Sequence, residues 1–215
     1  MLYLLLSAAL CLGLFLPLYF GMKIRKPALS IAAKVLSTCC PLALAIWAAS
    51  AGGGKLWMAA VAIGLCAIAD AVLELHFVLG MGAFICGHFW FILWFTARMP
   101  LTATHLPVFA LMVMLGAGIN YLWWKDIGKE RALPFAIYAV ILGAMVTCGV
   151  MCLLDRTAAG WITALGAAMF MVSDMMVGKE TITRCSKTFE VITMLLYEGA
   201  QFAFAVSAML LAGLL

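Results

Sequence analysis

Charged residues are scarce in this sequence. They fill 10% of its 215 positions, and the formal net charge is only +4. That net charge says little about nucleic acid; the basic residues sit in short clusters between apolar runs, an orientation signal, and no nucleic-acid partner is expected. Histidine is scarcer still. The three copies, His76, His88 and His105, fall at such different depths that they do not make a zinc site. No G-x-S-x-G elbow surrounds Ser173, so a serine nucleophile finds no support there. No basic stretch precedes the first apolar run; Lys23, Arg25 and Lys26 follow it instead. The expectation is therefore a first span that is retained, not a cleaved signal peptide. A disulfide framework is missing too. Seven of the eight cysteines (Cys11, Cys39, Cys40, Cys66, Cys86, Cys148 and Cys152) lie within apolar runs, and only Cys185 lies in a connection. They read as small polarisable fillers of helix interfaces. Cys148 and Cys152 are one turn apart, but no histidine accompanies them. No metal and no cofactor is expected.

What the sequence has is hydrocarbon. It is 67% hydrophobic, with a mean hydropathy of +1.18. That composition points to a polytopic membrane protein. Eight apolar segments are long enough to cross about 30 Å of lipid. They cover roughly 2–21, 28–51, 56–75, 77–97, 105–124, 133–154, 158–178 and 189–214. The short alternation of a barrel strand is absent, and backbone satisfaction in lipid then demands helices. The expected fold is all-α: one transmembrane domain over residues 1–215, a bundle of eight helices. Two four-helix halves of the same orientation are suggested by Asp70 and Asp174, each preceded by a small residue, Ala69 and Ser173. Trp57, Trp123, Trp124 and Trp161 fall near span ends, as an aromatic belt does.

Lysine and arginine set the orientation. Nine lie on one side: Lys23, Arg25 and Lys26, then Lys125, Lys129 and Arg131, then Lys179, Arg184 and Lys187. Lys55, Arg98 and Arg156 lie on the other. This bias places the first side in the cytoplasm and both termini outside; the compact chain without targeting signals leads to the separate expectation of a bacterial inner membrane.

A few ionisable groups interrupt the spans. Each costs roughly 3 kcal/mol on insertion scales, so a chain carries them where they face a protein interior, usually for function. Lys34 is about two turns into the second span. Asp70 and Glu74 occupy the last two turns of the third, Asp174 lies about one turn before the cytoplasmic end of the seventh, and Glu198 lies about 13 Å into the eighth. All five fall in the cytoplasmic half. Asp70 and Glu74 are one turn apart and share a face, as a carboxylate pair or as ion-pair partners of Lys34. Lys34 itself meets these carboxylates, meets a lipid phosphate, or snorkels to the interface. Ser173 and Asp174 point about 100° apart, and Asp174 is the sharper acid or base. Glu190, Thr193, Tyr197 and Gln201 line one face of the last span, with Glu198 beside them. His88 shares a stripe with Gly80, Phe84, Phe91 and Phe95.

These pieces resemble, in order and spacing, the lysoplasmalogenase family of integral membrane proteins, the YhhN-like proteins. The matching stretches are KVLST at 34–38 and Asp70 followed by the G-x-x-x-F-x-x-x-H of Gly80, Phe84 and His88. GAAMFMVSD at 166–174 and the Y-x-x-A-Q of Tyr197, Ala200 and Gln201 complete them. The chain departs from the family pattern at Ala69, where glycine is usual, and at Glu198, where an aromatic is frequent. The resemblance implies hydrolysis of the vinyl ether bond of lysoplasmalogens to a fatty aldehyde and glycerophospho-ethanolamine or -choline. That chemistry needs a carboxylic acid to protonate the outer alkene carbon. It also needs a carboxylate to steady the oxocarbenium ion and take a proton from water. Asp70 and Asp174 are the candidates, with neither role assigned. Lys34 would meet the phosphate; Tyr197, Gln201 and Ser173 would hold the glycerol; Glu74, His88 and Glu198 would complete the lysophospholipid site. Two other readings use the same buried groups: a proton-coupled transporter, and a lipid-binding protein without chemistry.

Overall fold

The computed structural model describes residues 1–122 and 129–215, and the side chains of all of these except residues 120, 122 and 129–131. The expected belt residues Trp123 and Trp124, and the basic residues Lys125, Lys129 and Arg131, lie outside the described side chains. The described residues form eight helices and no strand. In chain order these are α1 (Leu2–Met22), α2 (Pro27–Gly52), α3 (Leu56–Leu75), α4 (Phe77–Arg98), α5 (His105–Leu122), α6 (Lys129–Met151), α7 (Ala158–Ile182) and α8 (Lys187–Leu211). Seven are long and apolar enough to cross a membrane, and in α5 the described apolar stretch is the shorter His105–Ile119.

The burial pattern is inverted relative to a soluble protein. Ile68 is 59% exposed and Leu165 58%, whereas Asp70 and Glu198 are at most 1% exposed. Apolar side chains face out and ionisable ones face in, as lipid demands. The chain is an integral, multi-pass membrane protein.

Local chemistry moves two helix ends away from the expected positions. α7 runs to Ile182, not 178. Lys179 suits the negative end of the helix dipole, and the Thr181 and Thr183 hydroxyls donate to the carbonyls of Gly178 and Lys179 at 2.7 and 3.2 Å. Asp174 therefore sits about two turns from that end, not one. α8 begins two residues earlier than expected. There the Ser186 hydroxyl accepts from the Phe189 amide at 3.2 Å, an N-cap bond.

The chain divides into two compact units. The first comprises Met1–Trp94 and Phe204–Leu215. Its α2 and α3 pack along their lengths through buried alanines, among them Ala33, Ala45, Ala59 and Ala62, which let the backbones approach closely. α3 turns into α4 at His76 with no spare residue. A Cβ at Gly80 would collide with the Leu73 backbone, so the first glycine of the G-x-x-x-F-x-x-x-H stretch is a packing requirement. Phe204 rests on Phe91 at 4.5 Å and meets Trp94 edge-on at 6.4 Å.

The second unit is Phe95–Ala203. Here α6 packs between α5 and α7, and Phe170 of α7 meets Tyr197 of α8 edge-on at 5.7 Å. A polar staple closes the turn from α6 to α7. Arg98 donates to Asp155 at 2.6 Å and to Thr163 at 2.9 Å. The other Asp155 oxygen accepts from the Thr157 amide at 2.8 Å and hydroxyl at 2.7 Å. Thr157 in turn caps α7 through the Gly160 amide. A Cβ on Gly160 would strike both the Asp155 carboxylate and the Cys152 carbonyl. Gly160→Ala should therefore destabilise the protein by about 1–3 kcal/mol, read as a lower Tm in detergent. An unchanged Tm would show that the staple carries no strain.

Candidate functional site

The polar centre of the first unit is built where three helix ends meet. Lys34 projects from the second turn of α2, Asp70 and Glu74 from the last two turns of α3, and Tyr19 from the end of α1. The Lys34 ammonium donates to Glu74 Oε1 at 2.9 Å and lies 3.8 Å from Asp70 Oδ1. Thr38, one turn beyond Lys34, donates to Asp70 Oδ2 at 2.7 Å. Tyr19 donates to the same Glu74 oxygen at 2.9 Å, and its backbone carbonyl is held by the Ser30 hydroxyl at 2.8 Å. The Lys34 side chain is 7% exposed, Asp70 2% and Glu74 24%. The cluster is dry at Asp70 and opens toward its rim at Glu74.

This geometry chooses among the meanings that spacing leaves open for Lys34. Its ammonium is paired with both acids of α3. It is engaged by carboxylates and lies 5.6 Å from the Tyr19 ring centroid, a cation–π distance. Exposed Lys23 lies over the same ring at 5.5 Å. Two acids and one lysine carry a net charge of −1 when all are ionised, and none when the acids share one proton. A site of that composition can hand over a proton and take one back. His88 is also in this unit, fully buried on α4 with its ring 6.4 Å from that of Phe84.

The other expected residues belong to the second unit. Asp174 is half-buried and accepts from the Tyr138 hydroxyl at 2.5 Å. Ser173 is buried and donates to the Thr193 carbonyl at 3.1 Å, so its hydroxyl joins α7 to α8. Thr193 donates to Glu180 at 2.6 Å. Tyr197, Glu198 and Gln201 are all buried along α8.

Tyr19, Tyr138 and the Arg98–Asp155 pair escape a reading of the sequence. The first two are tyrosines within apolar runs, where a phenol passes for one more aromatic. A hydroxyl inside lipid needs a partner, and that need is the available signal. Arg98 and Asp155 stand 57 positions apart at span ends, where each reads as an ordinary interfacial charge.

With the geometry in place, the relationships of the chain can be stated. Residues 29–208 match the model of the YhhN family. The chain belongs to the YhhN family. The family match takes in Lys34, Thr38, Asp70, Glu74 and Asp174, whereas Tyr19 precedes it. A protein of Mycobacterium bovis named lysoplasmalogenase is 36% identical over 109 residues, 47% of this chain and 39% of that protein. The chain thus aligns with well under half of its mycobacterial relative. Human "Lysoplasmalogenase TMEM86B" is 30% identical over 196 residues, covering 89% of this chain and 81% of the human protein. The rat protein of the same name is 31% identical over 177 residues, covering 80% and 70%. No solved structure matches this YhhN-family chain.

Proposed function

We propose that this protein is a membrane-embedded lysoplasmalogenase. It would hydrolyse the vinyl ether bond of an alkenyl lysophospholipid to a fatty aldehyde and a glycerophospho-ethanolamine or -choline. The observation that carries this reading is the dry Asp70 carboxyl group, fixed by Thr38 and placed beside Lys34 and Glu74, in a chain whose curated relatives bear that name.

The chemistry follows from the bond. A carboxylic acid gives its proton to the outer alkene carbon, and the electrons of the double bond form the new C–H bond. The adjacent carbon becomes an oxocarbenium ion, which a nearby carboxylate steadies. Water attacks that carbon and loses a proton to a carboxylate. The resulting hemiacetal gives up its hydroxyl proton to a carboxylate as its bond to the glycerol oxygen breaks; that oxygen keeps the bonding pair and takes up a proton from a carboxylic acid, and the aldehyde leaves. General acid–base assistance of this kind contributes about 10²–10⁴-fold. Asp70 is the first carboxyl group of this scheme. Asp174, with its Tyr138 hydrogen bond in the second unit, is the other candidate carboxyl group. Lys34 holds Asp70 and Glu74 in register, and Lys23 is the exposed cation suited to the lipid phosphate. Ser173 and Tyr197 are the candidates for the glycerol, and His88 and Glu198 are further candidates for substrate binding.

The lysine and arginine bias supports a cytoplasmic position for the Asp70 end of α3, with both termini outside. The test is aldehyde release by the purified protein from a lysoplasmalogen. If no aldehyde forms and proteoliposomes acidify under a solute gradient, a transporter explains the buried acids better. Asp174→Asn should lower the rate at least tenfold with the protein still folded, and Tyr138→Phe should lower it less, by up to about tenfold, the equivalent of one hydrogen bond. Wild-type rates in Asp174→Asn would remove that residue from the scheme.

A further inference from the structure

Gln201 is an anomaly on α8. Its side chain is completely buried. Among the described residues, neither its amide nitrogen nor its amide oxygen has a hydrogen-bond partner. A primary amide offers two donors and one acceptor oxygen. Leaving all of them unmade in a low-dielectric interior is strongly unfavourable. The neighbours of Gln201 on this face have contacts of their own. Thr193 is bonded to Glu180 and to the Phe189 carbonyl, and the Tyr197 ring packs on Phe170. Gln201 follows one turn beyond Tyr197 and two turns, about 12 Å, beyond Thr193 along the same stripe.

We infer that the Gln201 amide is a binding site for one hydroxyl group, which donates to its oxygen and accepts from its nitrogen. A hydroxyl is the smallest group that answers both ends of an amide. Two sources supply one in the proposed reaction: the water it consumes, and the free glycerol hydroxyl that distinguishes a lysolipid from its doubly substituted parent. This assignment rests on the lysoplasmalogenase reading, and its test separates the two.

The variant is Gln201→Met, which keeps length and volume while removing the amide. Thermal unfolding is measured without substrate, and kcat/KM is measured on a lysoplasmalogen and on its 2-deoxy analogue. A hydroxyl site predicts a Tm equal to or above that of wild type, together with at least a tenfold fall in kcat/KM on the lysoplasmalogen. A site that hydrogen-bonds a substrate hydroxyl can reject the analogue lacking it by up to about 10⁴-fold. If the glycerol hydroxyl is bound, the wild type prefers the lysoplasmalogen strongly and Gln201→Met loses that preference. If water is bound, both substrates slow equally in the variant. A Tm lowered by several degrees would overturn the inference, since the amide would then be a structural bond. So would an unchanged kcat/KM. Should the wild type release no aldehyde at all, the lysoplasmalogenase reading fails, and the Tm comparison still decides whether the amide has a structural partner.

Discussion

Asp70→Asn should lower aldehyde release by about 10²–10⁴-fold, the range of a lost acid or base, while the protein remains folded. Asparagine keeps the shape of the residue and an oxygen that can accept from Thr38, which now lies 2.7 Å from Asp70. Lys34 keeps its shorter contact, to Glu74 at 2.9 Å. What disappears is the ability to give and take a proton at the driest point of the cluster. Glu74→Gln is the informative comparison. Glu74 sits one turn further toward the surface and bonds both Lys34 and Tyr19, so its loss should act more on Tm and less on rate. Asp70→Asn retaining more than a tenth of wild-type kcat would exclude Asp70 as the acid or base.

The largest expected effect on stability comes from Lys34→Met. The methionine fills the aliphatic volume but leaves two carboxylates in a low-dielectric site without their cation. Removing one partner of a buried ion pair costs about 3–5 kcal/mol, and the partial exposure of Glu74 favours the lower end. The double variant Lys34→Met with Glu74→Gln should recover a substantial part of that loss, because the nearer uncompensated charge is then gone. Thermal unfolding of the two singles and the double forms a cycle that isolates the pair. A Lys34→Met protein that unfolds within a degree of wild type would show that the ammonium is not what holds the two acids.

Much of this arrangement is legible in the sequence because lipid is such an exacting solvent. Long apolar runs have to be helices, and a lysine or aspartate within one has to face inward. Lys34, Asp70 and Glu74 are recognisable on those grounds, and the i,i+4 spacing of the two acids already places them on one face. Their pairing with each other rests on how α2 and α3 pack, which depends on buried alanines with no polar mark. Spacing therefore leaves open whether Lys34 snorkels, meets phosphate or pairs with acids. The Tyr19 contribution is harder still to foresee, since it depends on where α1 ends against two later helices. Asp174 is recognisable as an interruption, whereas its partner Tyr138 is 36 positions away in a run that otherwise looks like filler. The end of α7 is misplaced by reading Lys179 and Glu180 as a loop, when Lys179 favours the helix terminus.

The most direct measurement is turnover of a lysoplasmalogen by the purified protein in water enriched in oxygen-18, with both products analysed by mass. Protonation of the outer alkene carbon followed by water attack on its neighbour predicts a fatty aldehyde and a glycerophospho product that contains no heavy oxygen. Heavy oxygen in the glycerophospho product, or no aldehyde at any protein concentration, would contradict the proposed chemistry.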